Sequence, residues 1–176
     1  MKYFGKHLMS GLLWLIASEI LCLILAFSLA ILPDHPVIRV IGLLFGITAH
    51  VLLIANCAQK AAADDLVLYR TSQYRTLILK PLLIAILLTL PSYITYFVLI
   101  TNPESILMMN LFSLLNAPFI RIYKLLRGEA ETFSAVSSKS KIIMALPPVL
   151  TAAAYYISYH LRYHSGIAEY DTRTNR

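Results

Sequence analysis

Residues 59–80 read QKAAADDLVLYRTSQYRTLILK, the only long polar and charged passage in the first 126 or so residues. It holds Lys60, Asp64, Asp65, Arg70, Arg75 and Lys80, and a pair of apolar runs lies on either side. How this passage is read decides the fold. If it links two membrane hairpins, the flanking runs are paired transmembrane helices and the passage lies at the water interface. Asp64 and Asp65 suit a helix start, and Leu66, Tyr69, Tyr74 and Leu77 give a loose apolar face that could lie among headgroups. Alternatively, the second and third helices simply extend out of the membrane and turn near Thr71-Ser72.

Composition supports the membrane reading. Of 176 residues 59% are hydrophobic and 14% charged, and the mean hydropathy is +0.71. That is too apolar for a soluble domain of this size. Each crossing takes roughly 20 apolar residues, so four to six helices use nearly the whole chain and leave no room for a globular catalytic domain. The net charge of +6 comes from Lys and Arg beside hydrophobic runs, which points to anionic lipid headgroups rather than nucleic acid.

Working outward, an all-α polytopic membrane bundle is expected, with about five transmembrane helices in two tight hairpins plus one. The run 8–32 is too long for a signal-peptide core, and Glu19 interrupts it, so it reads as a retained first helix. Pro33-Asp34-His35-Pro36 turns the chain into a second helix, 37–58. The third helix is 81–101, with Pro91 able to kink it. Asn102-Pro103-Glu104 makes another tight turn before the fourth, 105–126, which Gly128 stops. The Ser-rich stretch 128–141 reads as a mobile loop. A fifth helix, 142–161, starts weakly at Pro147-Pro148 and ends in Tyr155, Tyr156, Tyr159 and Tyr163, grouped like an interfacial aromatic belt. These form a single domain, 1–164, followed by a polar tail, 165–176.

Five crossings place the two termini on opposite sides. With the N-terminus in the cytoplasm, Lys2, Lys6, Lys60, Arg70, Arg75, Lys80, Arg121, Lys124, Arg127, Lys139 and Lys141 fall inside. Only Arg39, Arg162, Arg173 and Arg176 fall outside. The asymmetry predicts a plasma-membrane protein with its N-terminus cytoplasmic, its C-terminus outside, and anionic headgroups against its cytoplasmic face.

The sharpest single residue is Glu19, because an ionisable group near the bilayer centre costs about 2.5 to 3.5 kcal/mol on insertion scales and calls for a partner or a role. Depth counting puts His50 and Asn116 in the same layer. Asn110, Ser113, Asn116 and Arg121 share a broad face of the fourth helix. Glu19 could titrate, with His50 as relay and the asparagines as solvating groups, or the set could be interhelical glue. Gly42 and Gly46, four apart, provide a groove for close helix packing that points on to His50.

His160 and His164, also four apart, could share a Zn²⁺ or Cu²⁺ ion with His35 and Asp34 if the first turn packs beside the fifth helix. Cys57 lies two helical turns, about 10 Å, from His50, too far for a nucleophile and its base. No catalytic residue, cofactor site or nucleic-acid motif emerges. The expected role is an accessory or assembly subunit of a larger membrane complex, forming homo- or hetero-oligomers. A small oligomeric transporter or channel using the Glu19/His50/Asn116 layer is the alternative, with a membrane-embedded enzyme behind both.

Overall fold

The structure, a computed structural model, describes residues 3–31, 35–72 and 78–174. Asp34, Tyr74, Arg75, Leu77, Lys2 and Arg176 lie outside the described residues. The elements are α1 (Phe4–Ala30), α2 (Pro36–Ser72), α3 (Leu79–Thr101), α4 (Ile106–Leu114), a 3-10 turn (Ala117–Phe119), α5 (Ile120–Arg127), α6 (Ser138–Met144) and α7 (Pro147–Thr174). The chain is an integral membrane protein, a bundle of helices. Segments 4–30, 36–71, 79–101 and 138–173 are long and apolar enough to cross a membrane, and a fifth apolar stretch, 106–127, is a pair bent by 98°.

The polar passage at 59–80 resolves in favour of helix extension. α2 continues without a break to Ser72, because Ala61, Ala62 and Ala63 are good helix formers and nothing before Thr71 breaks the pattern. Its buried residues form one stripe along its length, Gly42, Gly46, His50, Ile54, Cys57, Ala58, Ala61, Ala62, Asp65, Leu66, Leu68 and Tyr69. At the bilayer-facing end of that stripe are glycines, and further along are alanines, so neighbouring helices approach α2 closely along its length. The opposite, apolar face, with Val37, Val40, Leu44 and Leu52, stays exposed to lipid.

α7 packs along α2 in the same direction. Thr151 meets His50, Tyr159 meets Asp65, and Asp171 meets Tyr69. The N-terminal residues Lys6 and His7 contact Asp64, so the start of α1 and the end of α7 share one end of the bundle. Five crossings would set these two helix ends apart, whereas here they lie together. The cause is the bent pair. Ser134 N–H donates to the Pro103 carbonyl at 3.0 Å, Arg127 reaches Asn110, and the Tyr96 hydroxyl donates to the Lys141 carbonyl at 2.6 Å. Segment 106–127 therefore enters and leaves at the Glu104 end.

The bend has a local origin. α4 stops at Leu114, and Pro118 both lacks an N–H and disfavours helix at Ala117. α5 then returns as the amphipathic stretch Ile120–Arg127, which carries Arg121, Lys124 and Arg127 and is unsuited to a further crossing. Gly128, at φ +59°, ends it. An aromatic cluster wedges the pair against α3 and α6. Phe112 lies 4.8 Å from Tyr123, Tyr96 is 5.8 Å from Phe112 and Phe133 is 5.9 Å from Tyr96, ring centre to ring centre.

Other expectations change with this architecture. Phe133 and Val136 are buried, and Ser134 bonds Glu104, so the Ser-rich stretch is a docked connection rather than a mobile loop. Pro147-Pro148 open α7 instead of weakening a helix already begun at Ile142, since first-turn prolines sacrifice no hydrogen bond. The polar tail from 165 is the continuation of α7 to Thr174, held by Tyr69 against Tyr170 at 6.0 Å and by Arg70 over the Tyr170 ring. The tyrosines are not a belt either. Tyr155, Tyr159 and Tyr163, four apart, are buried against α2, while Tyr156 lies to the side.

With the bend, the described basic residues divide differently. Lys6, Lys60, Arg70, Lys80, Arg162 and Arg173 lie toward the Asp65 end. Arg39, Arg121, Lys124, Arg127, Lys139 and Lys141 lie toward the Glu104 end. Among the described residues, charge asymmetry therefore does not distinguish the two ends of the bundle.

Single cysteines introduced at Gln59, Ser165 and Glu131, in a background with Cys22 and Cys57 replaced by Ala, test this arrangement. In sealed vesicles a membrane-impermeant maleimide should label Gln59 and Ser165 from one side and Glu131 from the other. Labelling of Ser165 and Glu131 from the same side would contradict the fold.

Candidate functional site

Two polar layers cross the bundle. The first joins all four long helices at the Asp65 end. Asp65 and Lys80 are almost wholly buried, and the Lys80 ammonium donates to both Asp65 oxygens at 2.7 Å. The Tyr159 hydroxyl donates to Asp65 Oδ2 at 2.5 Å, and His7 Nδ1 lies 3.9 Å from the same oxygen. These residues come from α2, α3, α7 and α1 in turn. Removing two charges from water costs several kcal/mol each, which only such geometry, with extra hydrogen bonds to the carboxylate, offsets. The neighbouring Lys6–Asp64 pair, at 2.7 Å, is largely exposed and is screened by solvent. Asp65, not Asp64, therefore locks the helices.

Sequence reasoning saw Asp65 only as a helix-start acid and Lys80 as a linker charge. The available signal was their placement, one at each margin of the α2–α3 connection, with Tyr159 at the centre of a four-residue tyrosine repeat.

The second layer lies at membrane depth and contains the residues singled out from the sequence. His50 is fully buried and is bonded on both sides. Its Nδ1 is 2.7 Å from Ser18 Oγ and its Nε2 is 2.8 Å from Thr151 Oγ1, with Phe119 edge-on at 5.5 Å. Because hydroxyls both donate and accept, either ring tautomer is satisfied here. Glu19 follows Ser18 by one residue, about 100° around α1, and so faces a different neighbour. Its Oε2 accepts from the Ala117 N–H at 2.7 Å, one of the unpaired donors that the break at Asn116 leaves at the head of the 3-10 turn.

Asn116 is buried and donates to Phe112 O at 2.9 Å and Thr95 Oγ1 at 3.3 Å. Its Oδ1 and the buried Tyr123 hydroxyl have no hydrogen-bond partner. The structure thus sets Glu19 and Asn116 at the tip of the bent pair, with His50 in an adjacent cluster of its own.

The other fourth-segment residues disperse. Ser113 bonds back to Met109 O within α4, Asn110 is exposed beside Arg127, and Arg121 lies against Gly42. Gly42 and Gly46 serve packing within the chain. A Cβ at Gly42 would sit 2.6 Å from Leu29 and 2.8 Å from Arg121 Nε, and one at Gly46 would lie 3.6 Å from the Pro118 carbonyl. The crevice between α1, α2 and the bent tip, lined by Cys22, Gly42, Gly46, Ala117, Pro118 and Arg121 among others, measures about 10 Å³, room for one water.

The four-ligand metal set does not assemble. His160 and His164 stack, with Nδ1 and Nε2 3.1 Å apart, at the level of Asp65. His35 precedes the first residue of α2, about 40 Å away along that helix. Asp34 is outside the described residues, and no group of three metal-binding side chains occurs among the described ones. The expectation failed because α7 runs parallel to α2, which carries its histidines away from the first turn.

Two contrasts test the first layer by thermal unfolding in detergent. Asp65→Asn leaves Lys80 charged and buried and should cost about 3 to 5 kcal/mol, whereas Asp65→Leu combined with Lys80→Met should recover most of that loss. Tyr159→Phe should cost about 1.5 to 3 kcal/mol through its lost bond to a charged group. Tyr155→Phe, one turn away with an unpartnered hydroxyl, should be neutral or stabilising. Equal effects of the two Phe variants would refute the assignment.

Comparison with protein-family models, curated proteins and solved structures found no match to this chain.

Proposed function

We propose that this protein is a small accessory or assembly subunit that packs against other membrane proteins in a larger complex of the cell membrane. One observation carries the reading: the polar groups at membrane depth are engaged chiefly with one another, as Ser18–His50–Thr151, Glu19–Ala117 and Asn116–Thr95. The crevice beside them admits no more than a water. Polar residues arranged in this way hold helices together. The outward face of α1, with Leu13, Ile16, Ile20, Ile24 and Phe27 exposed, offers an apolar surface to lipid or to a partner helix.

The transporter reading has its own support in the broken backbone at Asn116. Irregular backbone at membrane depth is tolerated where it is buried in protein or lines a water path, and the unpartnered Asn116 Oδ1 and Tyr123 hydroxyl lie there.

Glu19→Gln separates the two readings, because the amide oxygen still accepts from the Ala117 N–H while the charge is gone. As a subunit, the protein should copurify from native membranes with other membrane proteins at fixed stoichiometry, the variant should do so equally, and reconstituted wild type should give no flux. Isolation as a single component whose liposomes show a pH-dependent flux, abolished by Glu19→Gln, would sink the subunit reading.

A further inference from the structure

Arg121 is a cation that the fold carries into the membrane without giving it a counter-ion among the described residues. It stands in the first turn of α5, five residues past the bend at Asn116. Its guanidinium lies against Gly42, where an added Cβ would fall 2.8 Å from Nε and 2.9 Å from Cζ. Gly42 is six residues into α2, so the group is about 9 Å inward from the Glu104 end of that helix, near the boundary between acyl chains and headgroups. No described residue forms a hydrogen bond or ion pair with it. A buried or half-buried guanidinium at this depth is costly unless something of opposite charge reaches it.

The surroundings indicate what that partner is. Lys124 and Arg127 follow at three-residue intervals, so a basic face rises along α5 from Arg121 toward the membrane surface. Lys124 is exposed, and Arg127 makes only a 3.4 Å contact with Asn110. Below the guanidinium the crevice wall is apolar, with Leu25, Ala26 and Leu29 of α1. The crevice is too small for an acyl chain, but Ile41 and Phe45 of α2, on either side of Gly42, are exposed, so a headgroup phosphate at the guanidinium can have its acyl chain along the outside of the bundle, and the planar guanidinium can hold two phosphate oxygens at once.

We propose that Arg121, seated against Gly42 and continued by Lys124, binds the phosphate of an anionic phospholipid at the Glu104 end of the bundle. The site is independent of the role argued for the Glu19 layer. It also differs from general headgroup attraction, since it depends on one guanidinium in one crevice.

Lipid retention by native mass spectrometry and thermal stability in nanodiscs test the proposal together. Three conditions are compared: phosphatidylcholine alone, phosphatidylcholine with phosphatidylglycerol, and phosphatidylcholine with inorganic phosphate in the buffer. Phosphatidylglycerol should raise the unfolding temperature and remain bound to the released protein. Arg121→Gln should weaken that retention about tenfold or more, and Lys60→Gln, at the other end, should leave it unchanged. Should Arg121→Gln not fold, Arg121→Lys keeps the charge without the fork and should give a smaller but measurable loss. Equal retention of phosphatidylglycerol by wild type and the Arg121 variant that folds would overturn the site. A stabilisation by inorganic phosphate that matches phosphatidylglycerol would overturn the lipid as its occupant.

Discussion

The Asp65 carboxylate is the point on which the bundle depends. Lys80 brings α3 to it, Tyr159 brings α7, and His7 brings the start of α1 within ion-pair range. Inside a membrane, apolar contact between helices gains little, because lipid tails are as apolar as leucine. Specific alignment must come from close packing and from polar groups with few alternative partners. A buried carboxylate with two donors on it, the Lys80 ammonium and the Tyr159 hydroxyl, has one good arrangement, and a shift of α2 or α3 by a turn would leave a charge unpaired. The alanines of α2 beside it allow the tyrosines of α7 to pack flush, so the polar lock and the small-residue seam reinforce one another.

That lock also fixes the direction of α7. Once Tyr159 is at Asp65, Thr151 falls at His50 and Asp171 at Tyr69, and α7 must run parallel to α2. A parallel neighbour requires the chain to return to the Glu104 end before α7 begins. The bent pair 106–127 supplies that return. Its tip would otherwise expose backbone donors at membrane depth, and Glu19 takes one of them at Ala117. The intramembrane acid is therefore tied to topology, whatever further work it does.

Much of this was legible in residues. Glu19, His50 and Asn116 stand out because polar groups in apolar runs are costly, and the structure sets Ser18, next to Glu19, on His50 and Glu19 itself on Ala117, the residue after Asn116. Gly42 and Gly46 are likewise visible as a packing groove. The bend left a trace in Asn116-Ala117-Pro118 followed by Arg121, Lys124 and Arg127, but hydropathy averaged over the whole segment hides it, since the apolar residues of α4 and α5 sum to one apparent span. The tyrosine repeat showed its period of four, yet belt and core share that period. Only the face presented to α2 separates them.

The sequence by itself determined that the chain is a helical membrane protein, where its apolar segments lie, and which polar residues sit within them. Those properties follow from the local cost of placing each side chain and each backbone group in hydrocarbon, which does not depend on neighbours. Tertiary structure decided which polar residues meet, that segment 106–127 turns back, and that the start of α1 and the end of α7 lie at one end of the bundle. These depend on pairings such as Asp65 with Lys80 and Tyr159, made between helices far apart in sequence, and no local periodicity records which of several energetically similar partners a buried charge will take.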